Sequence, residues 1–378
     1  MSQQPEVDRR SFLALAGAAA LAAPSGLAAR ERRDWLVVNA LGGLSDPNDT
    51  DEAGQGEERN VSRRVIEDAR ASGVSAINIT LGYVAGEDEP FEASVEDVAG
   101  WDARIRRQSA DLLKVLTAAD ILRAKAERKI GLIFGFQNAA MLGDRAERAD
   151  IFADLGVRII QLTYNPANRL GDGSMAPGNR GLTPFGRKVV ERLNANRIMV
   201  DLSHSGEKTC LEAARVSKQP ISINHTGCRA LVDLPRNKGD EELRLVASRG
   251  GFVGIYFMPF LSAASNATAA DVVAHIDHAV SVCGEDHVGI GTDGPITGVD
   301  DMPGYRRRMA KQVADRRASG IGARGENPDT IPMVVDLQGP GQFDTLAGLL
   351  RARGYKEARI EKILGRNFLN YARLVWGA

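Results

Sequence analysis

Short, almost continuously apolar runs recur along the chain, separated by longer stretches in which apolar residues return at helical spacing. The short runs are Trp35–Leu41, Val74–Leu81, Ile130–Gln137, Val157–Tyr164, Arg197–Leu202, Gln219–Asn224, Gly251–Phe257 and His287–Thr292. Runs such as VSAINITL lack polar alternation, which predicts strands buried on both faces, as in a parallel sheet. Helical spacing predicts Val61–Ala71, a long charged amphipathic helix ending near Lys129, Asp144–Leu155, Pro184–Asn196, Asp240–Ser248 and Ala269–Cys283, with closing helices near Gln342–Arg353 and Lys356–Leu374. Gly156 reads as a helix C-cap and Pro184 as a first-turn residue. A further helix-patterned segment joins Arg197–Leu202 to Gln219–Asn224, making a strand, helix, parallel strand unit. Strands and helices in alternation predict a single (β/α)8 TIM barrel of the α/β class.

The connections differ in character. Two loops, GGLSDPNDTDEAGQGEER after the first strand and GEDEPFEASVEDVAGWD after the second, are rich in acids and predict a preference for a cationic or amine-bearing ligand. Segment 301–335 is an Arg-rich insertion, predicted to be a solvated helix and loop rather than a binding surface. No fixed-period repeat and no Pro- or Ser-rich linker divides the barrel.

The carboxyl ends of barrel strands share one mouth, where this architecture keeps its chemistry. In the register above that mouth carries Leu41, Gly43, Gln137, Tyr164, His204, His225 and Asp293. One histidine alone reads as a satisfied structural residue, and Asp293 in GIGTDG alone reads as a turn residue. Imidazoles on neighbouring strands together with a carboxylate on the eighth make a plausible set of three metal ligands, leaving a position open for water to be activated for hydrolysis.

Composition narrows the alternatives. At 378 residues with 43% hydrophobic and 26% charged content the chain has the make-up of a globular protein rather than a disordered one. A net charge of −1 offers no bulk attraction to nucleic acid or anionic lipid. Cys210, Cys228 and Cys283 form neither a disulfide framework nor a thiolate zinc cluster, though one disulfide stays open. At the start, Arg9 and Arg10 precede Ser11-Phe12-Leu13, an Ala/Leu run reaches Ala23, and small residues follow to Ala29, which resembles a twin-arginine export signal. Asp8 and Ala14 depart from that signal, and the apolar run is too short to span a bilayer. Residues 1–29 are therefore expected to be a signal, residues 30–378 the barrel, and the location periplasmic.

Several motifs carry a family likeness. DLSHSG at 201–206, NHTG at 224–227, the pair Arg236-Asn237, GIGTDG at 289–294 and ILGRNFL at 363–369 resemble the membrane (renal) dipeptidase family, as do LGVRIIQLTYN at 155–165 and GLTPFGRKVVERLN at 181–194. The resemblance implies a barrel of the metal-dependent hydrolase type, two zinc ions, dipeptide or small amide substrates and often a dimer. His204 and His225 match the histidines of the family's second zinc, Arg236 the arginine that holds the substrate carboxylate, and Asp293 the aspartate that handles a proton at the scissile bond. The family's His-x-Asp after strand one is here Leu41-Gly42-Gly43, its bridging glutamate is Gln137, and its substrate-facing histidine is Tyr164. No other histidine precedes His204, so no shift of register restores the first metal site. The expectation is one zinc ion at most, or none, in a hydrolase of dipeptides or similar small amides with a mononuclear or weakened site. The alternative is a catalytically inactive barrel that binds a small peptide or amino acid. For Arg236 the competing reading is a surface ion pair with Asp240.

Overall fold

Among the described residues, nine parallel strands, three to eight residues long, position the mouth. In the computed structural model, which describes residues 34–49 and 60–377, they are β1 (Val37–Gly42), β2 (Val74–Leu81), β3 (Leu112–Lys114), β4 (Ile130–Phe136), β5 (Val157–Gln161), β6 (Met199–Asp201), β7 (Ser222–Thr226), β8 (Phe252–Ile255) and β9 (Val288–Ile290). The export signal read over residues 1–29 lies outside the described residues. Hydrogen bonding runs parallel through the order β1, β2, β4, β5, β6, β7, β8, β9. Nearly every residue of β1, β2 and β4 is buried, as expected for strands covered on both faces.

From β9 the sheet returns to β1 through a seam held partly by side chains. Asp293 N donates to Leu41 O at 2.9 Å and Gly43 N to Gly294 O at 3.1 Å. Asn39 is fully buried; its Nδ2 donates to Thr292 Oγ1 at 2.8 Å and its Oδ1 accepts from Thr292 N at 2.9 Å. An amide is suited to this place because it offers a donor and an acceptor together. The result is a nearly closed (β/α)8 barrel, as the strand pattern predicts. Asn39→Leu is expected to cost about 2–3 kcal/mol, since it leaves the Thr292 amide buried without a partner; urea denaturation with an unchanged m-value would check this.

Outside the barrel lie α1 (Arg63–Ser72), α2 (Pro90–Arg107), α3 (Ala118–Ala126), α4 (Arg148–Asp154), α5 (Pro184–Ala195), α6 (Glu207–Val216), α7 (Asp240–Ser248), α8 (Ala269–Cys283), α9 (Met302–Ala318), α10 (Gln342–Ala352), α11 (Glu357–Glu361) and α12 (Asn367–Trp376). Between the last two, Gly365 approaches β1 so closely that a Cβ would sit 2.4 Å from Leu36 O. Only glycine allows that contact.

Two expectations fail on the far side of β2. Most of the second acidic loop is helix: Pro90 starts α2 and the Glu89 carboxylate caps it by accepting from Glu92 N at 2.7 Å. The long helix expected to run to near Lys129 is interrupted by β3, which pairs with the amino-terminal half of β4 while β5 takes the other half. The Gln108 side chain pins the break by bonding both N and O of Val61, and a capping box between Thr117 and Asp120 starts α3 afresh. The disulfide left open by composition is also excluded, because Cys210, Cys228 and Cys283 are buried free thiols.

Candidate active site

A carboxylate below the mouth sets the spacing of the two histidine-bearing segments. Asp201, at the end of β6, is buried, and its Oδ1 accepts from Ser203 N, Ser203 Oγ and Asn224 N. Ser203 Oγ in turn accepts from His225 N at 3.1 Å. The turn that carries His204 is thereby tied to β7, which carries His225 within the strand rather than beyond its end. Burial raises the Asp201 pKa, and the same hydrogen bonds oppose that shift.

The two imidazole rings stand 4.9 Å apart, and the Tyr164 ring stacks on His204 at 4.2 Å. His204 Nδ1 lies 2.7 Å from Asn165 Oδ1, while Asn165 Nδ2 donates to Ile321 O at 2.9 Å. Because the amide nitrogen is occupied by that carbonyl, Asn165 can only accept from the ring. The proton therefore sits on Nδ1, and Nε2 presents its lone pair. His204 Nε2 and both ring nitrogens of His225 are buried without partners. Desolvation first, then the Arg236 charge, push both histidines well below their ordinary pKa, so both rings are neutral at pH 7.

Arg236, beyond β7, is 2% exposed. One guanidinium nitrogen donates to Ser203 O at 2.6 Å, and the group lies 5.9 Å from the Tyr256 ring centroid. Among the described residues no carboxylate pairs with it. Asp240 pairs instead with His278 at 2.8 Å, so the surface ion pair proposed for Arg236 is excluded. Asp293 follows β9 with a φ of 58°. Desolvation pushes its carboxyl up to about 6 against the opposing charges of Arg236 and Arg316.

Gln137, Tyr164, His204, Arg236 and Asp293 line one cavity of about 280 Å³, at the lower edge of the roughly 300–1,000 Å³ usual for small-ligand sites. His225 lies against His204, beneath this lining. Leu41 and Gly43 line a neighbouring hollow of about 340 Å³ with Ile79, Trp101 and Pro295, and Asp293 borders both spaces. Gln137 Nε2 is occupied by Thr80 Oγ1 at 2.7 Å.

Two readings of the loops need correction. The Arg-rich insertion is no solvated appendage: α9 and the loop after it roof the cavity with Met309, Val313, Arg316, Glu326 and Pro332. Tyr305, Met309 and Val313 recur at helical spacing and are buried; that pattern was the available signal, hidden among the arginines of the other faces. The described acids of the two acidic loops line neither space. Asp46 bonds Asn48, Asp97 accepts from Gly82 N and Glu89 caps α2.

Among the described residues, no group of three or more His, Cys, Asp or Glu side chains stands where it could hold a metal ion. The donors that fit one are the unpartnered, neutral nitrogens of His204 and His225, which would need a ligand or water to complete the shell. Leu41 and Gly43 supply no donor atom.

Comparison with known proteins agrees with this fold. The family model described as membrane dipeptidase (Peptidase family M19) matches residues 63–320. A solved amidohydrolase from Pseudomonas aeruginosa is 32% identical, with a TM-score of 0.76, over 91% of this chain and 98% of that one. The dipeptidase tcpJ of Claviceps purpurea is 29% identical over 262 residues, 68% of this chain and 54% of its own. A metallopeptidase of Rhodobacter sphaeroides, solved with a phosphinate mimic of the dipeptide L-Ala-D-Ala, shares the fold at 21% identity and a TM-score of 0.67, over 90% of this chain and 99% of that one.

Proposed function

Since the chain belongs to the membrane dipeptidase family (Peptidase family M19), we propose that it hydrolyses small amides bearing a free carboxylate, dipeptides foremost, at a site holding at most one zinc ion. The observation that carries this reading is a buried guanidinium that no carboxylate among the described residues pairs with, set in one cavity with Asp293 and His204. Arg236 grips the substrate carboxylate through two parallel charge-assisted hydrogen bonds. Asp293 moves a proton at the scissile amide, a task suited to a carboxyl whose pKa burial has brought toward neutrality. Tyr164 covers His204 and closes that side of the cavity to water. Zinc, when held by His204 and His225, supplies Lewis acidity for water activation. The leader resembling a twin-arginine signal supports a periplasmic location for this work.

A second reading, a barrel that binds a small peptide or amino acid without cleaving it, is favoured by one observation. Leu41, Gly43 and Gln137 provide no anionic donor where the family's first metal would sit. Metal analysis of the purified protein is expected to give one zinc per chain or none; close to two would refute the proposal. The triple change Leu41→His, Gly43→Asp, Gln137→Glu separates the readings. A Cβ at Gly43 meets nothing closer than 3.6 Å, so that position accepts the aspartate. If missing ligands alone limit catalysis, zinc content approaches two and dipeptide hydrolysis rises together. Two zinc ions with no gain in turnover would favour the binding reading.

A further inference from the structure

We propose that Arg316, on the insertion, is a second anion-binding group of the cavity, and that the ligand is a small amide with two carboxylates, one at Arg236 and the other at Arg316. This rests on the small-amide reading of the site. Arg236 comes from the loop beyond β7 and Arg316 from the last turns of α9, and they are the cationic side chains lining this cavity. On α9, Arg306 and Arg307 are exposed, Arg308 donates to Pro47 O and Arg317 to Glu326 O, whereas Arg316 lines the cavity with Met309, Gln312 and Val313. Apolar contacts already hold that face down. A guanidinium among them carries a desolvation cost that a purely structural helix would avoid.

One edge of Arg316 shows which group it accepts. Its Nη2 lies 3.1 Å from Glu326 Oε1, and the other Glu326 oxygen accepts from Ala323 N at 3.1 Å. Glu326 is thus held in part by backbone, and Arg316 also interacts with the Tyr164 side chain. Arg316 Nε is buried without a hydrogen-bond partner, so the planar fork still has an N–H group for a second carboxylate. It lines the same cavity as His204 and Asp293, and its partner Tyr164 stacks on His204 at 4.2 Å, which sets it toward the reacting end. Of the carboxylates lining the cavity, Glu326 is spent on Arg316, and only Asp293 remains to meet a ligand ammonium. The two guanidiniums thus offer N–H donors to anionic groups of a ligand, the reverse of the preference that the acidic loops suggest.

Equilibrium titration of the full-length protein tests this without requiring turnover. The probes are Ala-Glu and Glu-Ala against Ala-Gln and Gln-Ala, as L,L and L,D isomers. At least one acidic dipeptide should bind about 10-fold tighter than its amide counterpart, a ratio that shrinks as salt is raised. In R316Q the ratio should fall to within about twofold, and R316K should recover part of it. E326Q, which frees the guanidinium, should increase the ratio. Equal binding of acidic and amide dipeptides by the wild type overturns the proposal, as does a ratio that survives in R316Q. Equal weakening of every dipeptide by R316Q and E326Q would also sink it, showing that the ion pair merely holds the roof. Hydrolysis followed on the same probes separates the two claims. Turnover without acidic preference ends this inference and spares the hydrolase reading, and preference without turnover does the opposite.

Discussion

Replacing Arg236 with alanine is expected to lower kcat/KM for a dipeptide by about 100-fold, mostly through KM, and to abolish discrimination between a dipeptide and its C-terminal amide. The magnitude follows from removing one partner of a desolvated, hydrogen-bonded charge pair, which costs roughly 2–5 kcal/mol, and 2.7 kcal/mol is about 100-fold. Arg236 is 2% exposed and, among the described residues, no carboxylate pairs with it. The cavity is therefore arranged to be completed by an anion. Arg236→Lys makes the sharper control, because it keeps the charge and loses the fork. Calorimetric titration provides the readout if turnover is absent, and discrimination that persists in the alanine variant would move the carboxylate to another group.

Asp293→Asn is expected to lower kcat/KM by about 100- to 10,000-fold, the range for losing a positioned proton-transfer group. Asp293 sits where desolvation has raised its carboxyl to about 6. If its ionised form is the working one, wild-type kcat/KM rises with pH through about 6, and in the variant that limb vanishes. Stability gives an independent check with a defined sign. A carboxyl whose folded pKa lies above its unfolded value contributes stability that is present below about 4 and lost as pH rises through 6. The depressed pKa values of His204 and His225 act in the opposite sense, since those rings resist protonation only in the folded state and cost stability as pH falls below about 6.5. The difference between wild type and variant cancels the histidines. The variant's relative stability should therefore rise between pH 4 and pH 7, as read from urea midpoints. A flat difference would mean that Asp293 titrates normally.

Much of this arrangement could be read along the chain because periodicity and punctuation agree. The segments Asp240–Ser248 and Ala269–Cys283 appear as α7 and α8 with the expected bounds. The histidine pair stands out because the strands beneath it are apolar on both faces. Segments 90–129 and 301–335 misled for one reason: charge density masked sparse apolar contacts. In α9, Tyr305, Met309 and Val313 suffice to seat the helix, yet they are outnumbered by arginines. In β3, Leu112 and Leu113 are too few to signal a strand until β4 lies alongside. The depth of Arg236 was likewise invisible, because it comes from Ser203 and Tyr256, far away in sequence.

The seam between β1 and β9 bears on how the molecule comes into being. Asn39 and Thr292 are separated by 253 positions, so a ribosome adding roughly 5–20 residues per second leaves the first strand without its neighbour for about 10–50 s. An unpaired strand edge is a template for another chain, and contacts of such long range form late. The cap over that interval also comes late, since Gly365 seats against Leu36 only when the carboxyl-terminal segment has been made. Fragments that end before Thr292 thus retain two open edges, and they should associate with one another where the full chain stays apart.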